Sequence, residues 1–280
     1  MSRSLLLFSI LVALAPSIAR AAEPAAPSVE SAGYQRVAAP GTLMSVFGTG
    51  FPTELSINRT ASEFPLPSVL DGVWVLVNNF YLAPLLYVGV NREGNFQINY
   101  QLRWEAADSA SIEVFYKGTQ ISSERVMVSS AAPGLFTINA TGTGQVVAQN
   151  YSVVPEGFSP NSNSNPVPQG GILVLYGTGT GGIIDQETRR PATPELGEAV
   201  PATPLYVTPT LPSVTIGGKQ ARVLFSGLAP GYAGLWQINI QLDPETPVGE
   251  AVPIVINYGG QSTRAGITVA VRRVTSQSAQ

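Results

Sequence analysis

The chain has 280 residues, 15 basic against 18 acidic, a net charge of −3, and neither histidine nor cysteine. Those two absences exclude a Ser-His-Asp triad, a cysteine nucleophile, a disulfide framework and a zinc site of the usual ligands. The acidic balance argues against nucleic acid as a partner, and 28 glycines and 23 prolines with only 12% charged residues favour short strands and many turns over long helices.

The N-terminus carries Arg3, the apolar run Leu5 to Ala15 and then Ala19-Arg20-Ala21. A charged start, a short apolar stretch and a small-x-small site are the parts of a secretory signal peptide over 1–21, cleaved after Ala21. Pro16, Ser17 and Arg20 cut the run short of the about 20 apolar residues a membrane span needs. No later stretch is long and apolar enough to span, so the mature chain is expected to be exported without a membrane span. Residues 22–33 are Ala/Pro-rich without periodicity and read as a flexible leader.

From Tyr34 the chain turns regular, and it does so twice. Thr42 to Phe47 is a short strand closed by Gly48-Thr49-Gly50, and Ile172 to Tyr176 is closed by Gly177-Thr178-Gly179 roughly 130 residues later. Val73 to Asn79 is echoed by Ser213 to Gly218, each a strand running into a hairpin turn. Ala83 to Gly89 is echoed by Ala221 to Gly227, Ile112 to Gly118 by Ile254 to Gly260, and Arg125 to Val128 by Ile267 to Val271.

The most regular echo is a strand of strict alternation. Trp236, Ile238, Ile240 and Leu242 point to one face and Gln237, Asn239 and Gln241 to the other, because successive side chains of a strand leave on opposite sides. Phe96, Ile98, Tyr100 and Leu102 alternate with Gln97, Asn99 and Gln101 in the same way. One face is core and the other is a ladder of amides.

Each copy holds about six or seven short strands with turn signals between them, the pattern of an immunoglobulin-like β-sandwich. The expected fold is therefore all-β, two tandem immunoglobulin-like sandwiches related by an internal repeat. The first runs over 34–131. The second runs over 132–272, opened by a hairpin from Gly134 to Asn150, and a tail of 273–280 follows. Asn161 to Asn165 reads as a polar loop. Gln186 to Pro209 reads as a long Pro-rich excursion without a core pattern, larger than the Pro52 to Pro67 stretch at its place in the first copy.

Ala39-Pro40-Gly41 with Phe47-Gly48-Thr49-Gly50, Leu66 to Val73, Gln97-Ile98-Asn99, Ala132 to Phe136, Asn165-Pro166, Leu175 to Gly179 and Gly227 to Gly231 follow one another in an order that resembles the uncharacterised C-terminal domain family of secreted Solibacter-type acidobacterial proteins. The resemblance covers about Tyr34 to Val271. It implies an extracellular β-rich module of unknown function and brings no catalytic residues. A looser likeness of pattern is to IPT/TIG-type immunoglobulin-like domains.

The chemistry left to such a chain is limited. A Ser-Lys dyad would need Lys117 or Lys219, both beside glycines in expected hairpin turns. Gly177 to Gly182 satisfies G-x-G-x-x-G after a strand, but the stretch to Arg190 is too short, and broken by Pro191 and Pro194, for the helix whose N-terminus would face a pyrophosphate. Asp185 with Glu187, Asp243 with Glu245, and Asp71 with Glu93 are the paired carboxylates that glycoside hydrolysis would require. Each pair lies in an expected loop, where acids are normally solvated. Calcium at the Asp185/Glu187 or Asp243/Glu245 loop is the one cofactor such acids could hold, and neither loop has the dense alternating acids of a dedicated site.

Among the aromatics Trp74, Trp104, Trp236, Tyr81, Tyr87 and Tyr232, Trp104 is the best candidate for an exposed ring, although a core position suits it better, and Trp236 belongs to the core by its alternation. The functional expectation is a non-catalytic interaction or structural module, secreted or at the cell surface, with the periplasm as the other compartment an export signal serves. Its candidate face is Gln97, Asn99, Gln101, Gln237, Asn239, Gln241 and Trp104, and its partner a cell-envelope protein or polysaccharide; the structural reading of the same amides is that they hydrogen-bond neighbouring strand and loop backbones. The alternative is a carbohydrate-binding protein, or a carbohydrate-active one working through carboxylates.

Overall fold

A computed structural model describes residues 29–153 and 155–274. The expected signal peptide with its cleavage at Ala21, the leader up to residue 28 and the tail from residue 275 lie outside the described residues. Among those described there is no helix, and the chain is all-β.

The first sandwich is built from β1 (Val37–Ala38), β2 (Leu43–Thr49), β3 (Val73–Val77), β4 (Leu85–Val90), β5 (Asn95–Gln101), β6 (Ser109–Tyr116) and β7 (Thr119–Val128). One sheet runs β2-β5-β4 and the other β1-β7-β6-β3, with β1 parallel to β7. The second sandwich repeats this with β8 (Ala148–Val153), β9 (Ile172–Thr178), β10 (Ser213–Ile216), β11 (Lys219–Leu228), β12 (Trp236–Gln241), β13 (Gly249–Tyr258) and β14 (Ile267–Arg272). Its sheets are β8-β9-β12-β11 and β11-β10-β13-β14, the first half of β11 pairing with β10 and the second half with β12. Short parallel strands, Gly144–Gln145 and Val167–Pro168, line β14 as β1 lines β7. This strand order, with parallel pairing beside the last strand, is that of immunoglobulin-like sandwiches.

The alternation of β12 explains its place. Trp236, Ile238 and Ile240 are fully buried between β9 and β11, and Trp236 Nε1 donates to Ser226 Oγ at 3.0 Å, so the indole enters the core with its polar atom satisfied. β5 holds the matching position between β2 and β4, with Phe96, Ile98 and Tyr100 buried in the first core.

A third apolar cluster lies between the sandwiches. Leu43, Ala61, Leu66 and Leu86 of the first meet Phe136, Val174, Tyr176 and Leu235 of the second. Leu43 N–H donates to Thr178 Oγ1 at 2.8 Å across the same junction. The leader also takes part: Val29–Glu30 pairs with β2, Ala32 is buried, and Tyr34 donates to the Ala140 carbonyl at 2.8 Å. Order thus begins before Tyr34, because the end of the leader adds a strand to the first sandwich and then packs on the second.

The segment expected as a hairpin does fold back on itself, with Val147 N–H donating to the Phe136 carbonyl at 2.7 Å, and it feeds both sheets of the second sandwich. Gly134–Leu135 pairs with β9, Gly144–Gln145 with β14, and β8 continues into a strand pair with Glu156–Pro160.

Candidate functional site

The two amide ladders occupy equivalent strands and meet different fates. In the first, Gln97, Asn99 and Gln101 are all buried at 1 to 2% exposure. Asn99 Oδ1 accepts from Gln97 Nε2 at 3.0 Å and from Ser45 Oγ at 2.8 Å. Gln101 Oε1 accepts from the backbone N–H of Gly197, and its Nε2 donates weakly to the Gly41 carbonyl at 3.4 Å. Ser31 of the leader, hydrogen-bonded to Ser45, and the Pro-rich excursion cover this ladder.

In the second, Gln237, Asn239 and Gln241 are half-buried. Gln237 Nε2 donates to Asn239 Oδ1 at 2.9 Å and Gln241 Nε2 to the Gly170 carbonyl at 3.3 Å. Asn239 Nδ2, Gln237 Oε1 and Gln241 Oε1 have no partner among the described residues, and none of them is sealed from solvent. On this face Phe225 stands opposite Asn239 and Arg222 opposite Gln241, with Tyr151 one strand beyond Ile172 in the Gln241 row.

Trp104 is not an exposed ring. It leaves the first sandwich, lies over Gly41 and packs on Ile183, Val200 and Leu228 of the second, with its Nε1 buried and without a hydrogen-bond partner. The structure therefore separates the seven candidate residues: the first ladder and Trp104 lie inside the junction, and the second ladder lies half-exposed at its edge, with the buried Tyr176 and Val174 opposite Gln237 and Asn239.

The remaining candidates are held locally. Asp185 Oδ1 accepts from the N–H groups of Thr188 at 2.8 Å and Glu187 at 2.9 Å, chiefly the former holding its pKa below the ordinary value. Asp243 Oδ1 accepts from the Glu245 N–H at 2.7 Å, Glu245 pairs with Lys219 at 2.7 Å, and Asp71 with Arg59 at 3.3 Å. No group of three or more acids gathers among the described residues. Lys117 sits in a turn at φ 46° with its Nζ 5.2 Å from the Tyr116 ring.

The glycine run after β9 leads into another strand, Ile183–Asp185. A Cβ on Gly179 would overlap the Ala132 carbonyl, so this glycine lets the segment joining the sandwiches cross at van der Waals contact. Backbone approach within the chain, not a nucleotide, accounts for it.

Two features escape a reading of the sequence. The excursion carries Val200, buried at the junction, and Gly197, which holds Gln101. Its own Gln186, Arg189 and Thr208, with Leu211, Leu224 and Phe225, line a cleft of about 290 Å³ that adjoins the second ladder through Phe225. The signal available was the excursion's length: an insertion in one copy only is a natural place for contacts that the copies do not share.

No family model matches the chain, and no curated protein matches its sequence. Among solved structures it is similar to the full extracellular region of plexin A4, at 8% identity and a TM-score of 0.25, covering 88% of this chain and 18% of that one. It is also similar to bovine butyrophilin, at 10% identity and a TM-score of 0.21, covering 86% and 93% of the two chains. An endo-fucoidan hydrolase of glycoside hydrolase family 107 matches at 10% identity and a TM-score of 0.16, covering 91% and 31%. The chain thus spans under a fifth of the plexin. Likenesses this remote say nothing about activity, and the fold stands on the chain's own strand order.

Proposed function

We propose that the chain is an exported, non-catalytic binding module whose second sandwich presents Gln237, Asn239 and Gln241 to a polysaccharide of the cell envelope. The observation that carries this reading is the contrast between the ladders. The same amide sequence is internally satisfied and covered in the first copy, whereas in the second it keeps one amide donor and two amide acceptors turned to solvent.

An amide offers both donors and acceptors, which suits the paired hydroxyls of a sugar, and spacing by two residues repeats the same group along one face. Phe225 and Tyr151 flank the ladder with ring surface of the kind that packs on a pyranose. Export rests on the N-terminal pattern, and the non-catalytic reading on the absence of histidine and cysteine together with the local engagement of the candidate acids, Asp185 and Asp243 by backbone N–H groups, Glu245 by Lys219 and Asp71 by Arg59.

The test is retention on insoluble envelope polysaccharide with Asn239→Ala and Gln241→Ala. Both are expected to keep the wild-type melting temperature and to lose retention about tenfold, as the loss of a hydrogen bond or two at a binding face would give. Unchanged retention by both variants would sink the proposal.

A further inference from the structure

The opposite sheet carries a second contrast between the copies. Outward-facing positions of β3 and β6 in the first sandwich are Trp74 and Leu76, opposite Phe115 and Glu113, and Leu82 on the short edge strand Tyr81–Leu82 stands beside Leu76. Strand pairing in the second sandwich puts Ser213 opposite Asn257, Thr215 opposite Val255, and Gln220 beside Thr215. Position by position, Trp74, Leu76, Leu82 and Phe115 replace Ser213, Thr215, Gln220 and Asn257, and Glu113 replaces Val255. The polarity is inverted at all five places while the inward faces, Val73, Val75 and Val77 against Val214 and Ile216, stay apolar and buried.

The fold therefore does not ask for an apolar outer face here, since its own second copy is built without one. The hairpin between β3 and the edge strand gives the same message. Val77 pairs with Tyr81 across three residues, Ile216 with Lys219 across two, and the extra residue of the first copy is Phe80, 76% exposed. Tyr81 packs edge-on against it at 4.8 Å, and the Arg103 guanidinium, paired with Glu105 at 3.0 Å, lies 3.6 Å from the Tyr81 ring centroid. Leu82 is 46% exposed, and Trp74 stacks on Phe115 with centroids 5.5 Å apart.

Glu113 lies on this face. It is only 6% exposed, and its carboxylate makes no hydrogen bond or ion pair among the described residues. Arg125, diagonal to it on β7, donates instead to Ser109 Oγ at 3.2 Å. The carboxylate has Leu76 opposite it on β3, Ser123 opposite it on β7 and Phe115 two residues along its own strand, so it is an anion set at the border of the apolar patch with no partner of its own. Burying it further beneath an uncharged surface would be costly, and a cation would offset that cost.

We propose that this face of the first sandwich is a docking site for a protein segment that presents a lysine or arginine between large apolar residues. The cation pairs with Glu113, the flanking side chains cover Leu76, Leu82 and Phe80, and the rings of Trp74 and Phe115 pack on the aliphatic stem that carries the charge. The site is separate from the amide ladder, which lies on the other sheet of the other sandwich.

A displayed library of random short peptides, selected against the full chain, tests it. Selected peptides should carry Lys or Arg flanked by large apolar residues, and should bind Glu113→Gln and Leu82→Glu at least about tenfold more weakly, with both variants melting as wild type does. The Glu113→Gln arm separates a charge-specific site from mere stickiness, which that change would leave intact. Peptides lacking the cation, binding equally tight to Glu113→Gln, or a library yielding no binder would each overturn the proposal. So would self-association of the chain through this face at micromolar concentration, which would assign the face to a second copy.

Discussion

The side-chain carbonyl of Gln101 accepts a hydrogen bond of 2.9 Å from the backbone N–H of Gly197, 96 residues downstream. Gly197 returns the contact through its own carbonyl, which accepts from the Leu66 N–H at 2.8 Å. The excursion, whose Pro191–Ala192 and Tyr206–Val207 pair with Ile183–Asp185, is thus held between those strands at both backbone polar atoms of one residue by the first sandwich. Gln101→Ala leaves a buried N–H without a partner and is expected to cost about 1 to 3 kcal/mol in denaturant unfolding. Early proteolytic cutting within 186–209 of that variant should accompany the loss. Unchanged unfolding and an intact excursion would show that the bond contributes nothing.

The segment joining the sandwiches is expected to resist proteases until the chain unfolds as a whole. Ala131, Ala132, Leu135 and Phe136 are buried and Ala132 N–H donates to the Gly179 carbonyl, so the backbone there is not free to enter a protease cleft. Limited proteolysis followed by mass spectrometry checks this. Rapid clean cutting between Ser129 and Asn139 into two stable halves would refute it.

The ladders give an asymmetric pair of variants. Asn99→Ala removes an acceptor that serves both Gln97 and Ser45 in a buried site and should lower stability by about 1 to 3 kcal/mol. Asn239→Ala, on the open face, should stay within about 0.5 kcal/mol of wild type. Thermal melts of the two proteins side by side decide it, and equal losses would mean that both faces are covered alike.

Trp236 makes a sharper core test. Replacing it by Ala empties the centre of the second sandwich, where the indole meets Tyr258 at a ring separation of 5.6 Å, and should cost about 3 to 5 kcal/mol. Loss of less than about 1 kcal/mol would put the strand in a different register.

Much of this architecture is legible in the residues because strand alternation is a local property. Trp236, Ile238 and Ile240 declare their face without help from the rest of the chain, and the paired echoes declare the repeat. What covers a face is not local. Gln97-Ile98-Asn99 and Gln237-Ile238-Asn239 are the same tripeptide, and only Ser31, Gly197 and the second sandwich make the first one interior. Asn161 shows the same limit on a smaller scale. It reads as the start of a polar loop, yet it is buried, accepting from Ala270 N–H and Gln145 Nε2 and donating to Asn150 Oδ1 and the Ala270 carbonyl. A polar side chain that replaces a missing stretch of ladder cannot be told from a solvated one by composition. The inverted face around Glu113 was open to the sequence in principle, but only with strand pairing in hand does Trp74 line up with Ser213.

The position of Trp104 has an optical consequence. The chain has three tryptophans, and they stand in three environments: Trp236 in the second core, Trp104 at the junction, Trp74 on the outer face of the first sandwich. Emission from variants that each keep a single indole would therefore report on the three places separately. Parting of the sandwiches would redden Trp104 while Trp236 stays blue, and occupation of the Glu113 face would shift Trp74 alone. The protein carries its own set of dyes, one for each level of its organisation.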